Sequence, residues 1–190
     1  MITLGEAFRR VVGALDRVDA EYVVVGSTAA AAWGVVRSTR DIDLVTVVSA
    51  MSPDSLLEGL SDEELYVPVQ DAKRALTQGG SFNVLHPGSG GKVDVFVCLP
   101  DDEFERQRLL RRVPVEMFGV QTWVATAEDV VLSKLRWRKE SRSEIQWRDC
   151  VELAAIQQLD LDYLHEWAPR LGLSADLEAL LHESEAGDTA

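Results

Sequence analysis

The chain has 190 residues, 46% of them hydrophobic, and carries a formal net charge of −13 at neutral pH. That length suits one domain with a real core, or a core with a small helical appendage, and the apolar content excludes a disordered chain. The acidity argues against indiscriminate nucleic-acid binding, which needs cations to neutralise phosphate.

In chain order, Leu4 to Asp19 reads as an amphipathic helix with Leu4, Phe8, Val11, Val12 and Leu15 along one face, and Thr3 with Glu6 forms a capping box. The charges inside this apolar pattern and the lack of a cleavage site argue against a signal peptide. No apolar run is long enough to cross a bilayer, so a cytoplasmic protein is expected. Tyr22 to Val25 is a β-branched run ending at Gly26-Ser27. A small-residue helix, Thr28 to Trp33, follows and is closed by Gly34. A polar loop, Val35 to Arg40, leads into a second apolar strand that carries Asp41 and Asp43.

Pro53 to Leu60 reads as a short helix, Leu65 to Val69 as a brief edge strand containing Pro68, and Asp71 to Thr77 as another short helix. Phe82 to His86 and Lys92 to Leu99 flank the turn Pro87-Gly88-Ser89-Gly90-Gly91 and are expected to form a hairpin. Alternation puts Val93, Val95 and Val97 on one face of the second strand and Asp94, Phe96 and Cys98 on the other. Asp101 to Arg112 is a charged helix. Val113 to Met117 and Val120 to Val124 are short strands around Phe118-Gly119. From Thr126, a cap with Asp129 three residues on, the pattern turns helical: Ala127 to Arg138, Glu144 to Gln158, Leu161 to Leu171 and Ser174 to Glu183, with a loose tail from Glu185. The organisation expected is a core over 1–125 and a helical region over 126–190, packed on the core or merged with it in a single domain. Cys98 and Cys150 read as buried, reduced thiols, and His86, His165 and His182 form no ligand pattern.

The chemistry lies between Tyr22 and Val48. A helix starting beside Ser27 presents unpaired N–H groups to an anion, and Gly26 lets a backbone or ligand come close. Asp41 and Asp43, two apart on a strand, share a face. Two such carboxylates repel one another and lose hydration, and a hard divalent cation relieves both costs. A lone acid in an apolar strand, Asp94, needs a cation or a partner, or else faces water at a sheet edge. Arg37 and Arg40 are loop cations, and Lys134, Arg136, Arg138, Lys139, Arg142 and Arg148 make a local basic cluster in an acidic chain.

Gly26-Ser27, a spacer of thirteen residues and Asp41-Ile42-Asp43 resemble the signature of the DNA polymerase β-type nucleotidyltransferase superfamily. The spacer is at the long end for that superfamily. The resemblance implies an α/β fold: a mixed, twisted sheet with helices packed on it and a helical C-terminal region. It also implies Mg²⁺-dependent transfer of a nucleoside monophosphate from an NTP to an acceptor hydroxyl, with release of pyrophosphate. Asp41, Asp43 and Asp94 would hold two Mg²⁺ ions, while Gly26, Ser27 and Arg40 would meet the nucleotide. The helical half, EDVVLSKLRWRKE followed by WRDCVELA, resembles the bacterial abortive-infection toxin group of nucleotidyltransferases. On that resemblance Lys134 and Asp149 join the catalytic set, Lys134 and Arg138 bind nucleotide, and an antitoxin partner is implied. An interhelical salt bridge is the plain alternative for Lys134 and Asp149. The acceptor stays open between tRNA, a protein and a small molecule. The other reading of the whole is a non-catalytic nucleotide-binding or antitoxin-like protein that keeps the fold.

Overall fold

The computed structural model describes residues 4–36, 39, 41–47, 52–61 and 63–187. The Thr3 end of the expected capping box, Arg37, Arg40 and Val48 lie outside the described residues. The chain divides into two compact units, Met1–Thr28 with Ser38–Ala125, and Ala29–Arg37 with Thr126–Ala190.

The first unit is built on a six-stranded mixed sheet in the order β3-β4-β2-β1-β6-β5. Its strands are β1 (Tyr22–Val25), β2 (Asp41–Val47), β3 (Gly80–His86), β4 (Gly91–Cys98), β5 (Val113–Met117) and β6 (Val120–Val124). β2 runs antiparallel to β1 and parallel to β4, so the connection from β2 to β4 crosses over through two helices and β3. The expected β3–β4 hairpin is present, and so is the β5–β6 hairpin. Phe118 and Gly119 both take positive φ, 51° and 78°, as a tight two-residue turn between twisted strands requires.

The alternation read from β4 holds: Val93, Val95 and Val97 are buried, and Phe96 on the opposite face is 41% exposed. Ile42 and Leu44 of β2 are wholly buried beside them. Helix α1 (Leu4–Arg17) buries Phe8, Val11, Val12 and Leu15, and packs with β3 and β4. At about 1.5–3 kcal/mol for each large apolar side chain, this one stripe contributes strongly to the core.

Local differences from expectation have local causes. The Leu65–Val69 strand reduces to an isolated bridge between Tyr66 and Leu85. Pro68 has no N–H to extend a ladder and instead stands at the N-cap of α4 (Val69–Gln78). Helix α3 spans Pro53–Gly59 and begins on its proline. Helix α5 (Glu103–Arg111) starts two residues later than expected, because the Asp102 carboxylate accepts from Glu105 N and caps it.

The second unit contains α6 (Ala127–Ser141), α7 (Glu144–Ile156), α8 (Leu161–Arg170) and α9 (Ser174–Gly187). Thr126 caps α6 as expected, its hydroxyl accepting from Asp129 N. Helix α6 runs three residues past Arg138. It stops where Arg142 adopts the left-handed conformation, φ 55° and ψ 31°, and its N–H returns to Arg138 O. The tail expected from Glu185 is still helical to Gly187. The short helix α2 (Gly26–Ala32) begins in the first unit, and its residues from Ala29 belong to the second. There, Gln157 Nε2 donates to Trp33 O at 2.7 Å and Val36 N donates to Glu152 at 3.2 Å.

Candidate functional site

One face of the first unit's sheet collects the acids. Residues directly opposite in a parallel pair share a face, and the register sets Asp41 against Lys92 and Asp43 against Asp94. On the other side of β4, Asp94 stands opposite Asn83 of β3. Three carboxylates, two of them close together in sequence on β2 and the third far along the chain on β4, thus occupy neighbouring positions on two strands. The start of β2 is held by hydroxyls: Thr39 Oγ1 donates to Asp41 O at 2.9 Å, and Thr28 Oγ1 to the same carbonyl at 3.4 Å.

Gly26 stands against Asp43. Its φ is +63°, and a Cβ built there would overlap Asp43 Oδ2 and lie 2.9 Å from Cγ. Glycine is required twice over, by the backbone and by the carboxylate. The helix expected to begin after Ser27 begins at Gly26, so Ser27 is the second residue of α2 and lies inside its first turn. Both residues are half-buried.

Lys92 is the residue that the sequence reading did not single out. Its Nζ lies 2.6 Å from Asp94 Oδ2 and 3.5 Å from Asp41 Oδ2. The hydrogen bond to Asp94 raises its pKa against the opposing effect of burial, so it is a cation at neutral pH. The signal was present: Lys92 and Asp94 are two apart in a strand, as are Asp41 and Asp43, and therefore share a face. Asp94 is more enclosed than Asp41, its side chain 14% exposed against 47%. Asp94 Oδ1 is buried and receives no hydrogen bond from any described residue.

As they stand, no three His, Cys, Asp or Glu side chains among the described residues converge into a metal-binding group. The donor chemistry nevertheless suits a hard cation: the available atoms are carboxylate oxygens, one is buried without a donor, and an ammonium already sits between two of the acids. Asp41, Asp43 and Asp94 would be the residues to hold Mg²⁺.

The other expected site residues belong to the second unit. Lys134 on α6 is 3% exposed at its side chain; Nζ donates to Asp149 Oδ2 at 2.6 Å and to Gln146 Oε1 at 2.9 Å, both on α7. This is the interhelical salt bridge that stood as the plain alternative. Cys150 is buried beside the pair, and burial pushes its thiol pKa up to about 12, with Lys134 pulling the other way. Arg138 lies over the Trp147 ring at 4.3 Å and pairs with Asp176 at 3.3 Å. Lys139 Nζ donates to Gly172 O. The basic cluster of the sequence is therefore divided: Arg136, Arg142 and Arg148 are exposed, while Lys134 is enclosed and Arg138 and Lys139 are tied to neighbouring helices. Gln146 was missed, because a glutamine on a helix carries no signal until its lysine partner is known.

A family model described as "Nucleotidyltransferase of unknown function (DUF6036)" matches residues 1–176. No curated protein matches the chain. Among solved structures, an antigenic nucleotidyltransferase-like protein from Paracoccidioides brasiliensis is similar, with 17% identity, a TM-score of 0.54, and coverage of 93% of this chain and 92% of that one. ANT(2″)-Ia in complex with adenylyl-2″-tobramycin is similar with 12% identity, a TM-score of 0.51, and 97% of each chain covered. At these identities the likeness is one of fold.

Proposed function

Because the chain belongs to this family of nucleotidyltransferases of unknown function, we propose that it moves a nucleoside monophosphate from an NTP to an acceptor hydroxyl in a Mg²⁺-dependent reaction. The observation that carries the reading is the register that places Asp94 beside Asp43, with Asp41 on the same face and Gly26 against Asp43. An Asp-x-Asp pair alone is a common surface feature; a third acid brought alongside it from another strand is not needed for a solvated sheet face and costs Coulomb repulsion.

Asp41, Asp43 and Asp94 hold the metal in this reading, with two Mg²⁺ ions once nucleotide is present. Bound Mg²⁺ supplies neutralisation of the triphosphate and acidifies the acceptor hydroxyl. Asp94 would receive the acceptor's proton on its carboxylate. The acceptor oxygen bonds to the α-phosphorus, the bond to the bridging oxygen breaks, and pyrophosphate leaves with the electron pair. Gly26, Ser27 and Arg40 meet the nucleotide by the superfamily motif. On the toxin-group resemblance alone, Lys134 and Arg138 would add positive charge and Asp149 would orient Lys134, whose ammonium is held here by Asp149 and Gln146. The toxin role, an antitoxin partner and a cytoplasmic location belong to that finer reading. No helix among the described residues is long and apolar enough to cross a membrane. A small molecule, a protein and a tRNA end are the three acceptor classes, and the net charge of −13 disfavours the polyanion.

The test is calorimetric and thermal. Wild-type protein should gain stability from Mg²⁺ with an NTP, since a ligand bound by the native state raises the melting midpoint. Asp43→Asn should keep the fold and lose that gain. A wild-type midpoint unmoved by every NTP with Mg²⁺ would remove the proposal. A wild-type protein that binds NTP but releases no pyrophosphate with any of the three acceptor classes would instead be the nucleotide-binding protein of the second reading.

A further inference from the structure

Lys92 is unusual for its setting. A sheet face that presents three carboxylates on neighbouring positions of β2 and β4 also presents, between two of them, a lysine. Its ammonium makes a 2.6 Å contact with Asp94 Oδ2, the oxygen next to the buried and unpartnered Oδ1, and reaches Asp41 at 3.5 Å. The side chain is 30% exposed, so its stem has room to swing. A lysine head is a compact point charge on a flexible stem, which suits a counter-ion that must come and go, and a rigid guanidinium fork does not.

We propose that Lys92 is a tethered counter-ion that occupies the cation seat of the metal-free protein and is displaced when a divalent ion binds Asp41, Asp43 and Asp94. The inference rests on the metal-dependent reading above and adds a regulatory element to it: Lys92 sets the divalent-ion concentration at which the site loads. Two consequences follow from the geometry. With Lys92 in place, Asp41 and Asp94 are compensated on one face without a metal. A metal must break the Asp94 and Asp41 contacts before it takes those oxygens, so its apparent affinity is lowered by the work of displacing the ammonium.

The experiment is a Mn²⁺ titration of the full chain, without nucleotide, by calorimetry and by the electron-spin signal of free Mn²⁺, with thermal melts alongside. Lys92→Gln removes the charge at a partly exposed position where glutamine fits the strand. Lys92→Arg keeps the charge. The expected result is that Lys92→Gln binds Mn²⁺ about tenfold more tightly than wild type, the size expected when a nearby unit charge no longer opposes a divalent ion across a few ångströms. Its metal-free melting midpoint should fall, and Mn²⁺ should restore it. Lys92→Arg, which keeps the charge, should bind Mn²⁺ no more tightly than wild type, which separates charge from shape. Wild-type binding of Mn²⁺ with an unchanged or weaker affinity in Lys92→Gln would overturn the counter-ion role and leave the metal site standing. Failure of the wild type and of Lys92→Gln alike to bind Mn²⁺ would overturn both. Circular dichroism of each variant establishes that the fold is retained, and a Lys92→Gln protein that unfolds while Lys92→Arg folds and binds as wild type would mean that the lysine charge serves stability alone, which also overturns the proposal.

Discussion

Replacing Gly26 with alanine tests the site through its backbone. Two costs are separable. A residue with a Cβ at φ +63° pays the left-handed penalty of about 1–2 kcal/mol. The new methyl also lies 2.9 Å from Asp43 Cγ and 3.2 Å from Asp43 Cβ, and overlaps Oδ2, so the carboxylate must rotate off its present position. The backbone cost should appear as a melting-point loss of about 2–8 °C for a chain of this size. The rotated carboxylate should appear separately, as Mn²⁺ or Mg²⁺–NTP affinity weakened at least about tenfold, or about 1.4 kcal/mol. Gly119→Ala is the control: φ is +78° there, and nothing lies within 4 Å of a built Cβ. It should share the stability loss and spare the ligand affinity. Equal affinities in Gly26→Ala and Gly119→Ala would refute the claim that Gly26 holds Asp43 in its productive position.

Asp149→Asn should destabilise the protein by about 3–5 kcal/mol, read from urea unfolding, because the Lys134 side chain is 3% exposed and would keep a buried charge without its counter-charge. Lys134→Met with Asp149→Leu should cost much less than that single change. Arg142→Gly should stabilise by roughly 1 kcal/mol, since glycine adopts the φ of 55° at the end of α6 without the side-chain penalty; an unchanged denaturation midpoint would contradict it. A thiol reagent at pH 8 should label Cys98 alone in native protein and both cysteines after unfolding. The Cys150 thiol, moved from 9.0 to about 12, keeps its proton in the folded state while the unfolded chain loses it. Stability should therefore decline as pH rises from about 9 to about 12, by up to about 1.4 kcal/mol per pH unit from this group.

Which acids share a face was legible in the sequence, and the reason is periodic. A strand repeats every two residues, so Asp41 and Asp43 had to share a face, as did Lys92 and Asp94. The partnership between those pairs was implied by the family resemblance and by no local pattern. It depends on a parallel register between β2 and β4 across an intervening hairpin and two helices, and no local pattern encodes which residue meets which. The Thr126 cap made the start of α6 readable, whereas the Asp102 cap that starts α5 was missed. The end of α6 turns on one arginine in a left-handed conformation, which arginine's own chemistry does not announce. Leu65 to Val69 misled because its β-branched residues favour a strand, whereas Pro68 could start a helix and could not lengthen a ladder.

The interleaving of the two units bears on how the chain is made. Residues Ala29–Arg37 belong with Thr126–Ala190, and Trp33 O and Val36 N find their partners in Gln157, just past the end of α7, and Glu152 of α7. During synthesis that segment leaves the ribosome well before those partners exist. At roughly 5–20 residues per second, the stretch of about 120 residues up to those partners takes roughly 6–24 s to appear. The sheet can close around its own strands in that interval, but the alanine-rich segment must wait with its backbone groups in water until the last third of the chain arrives. Translation rate, and whatever shelters nascent chains, therefore has a specific point of purchase in this protein at residues 29–37, far in sequence from the helices that complete them.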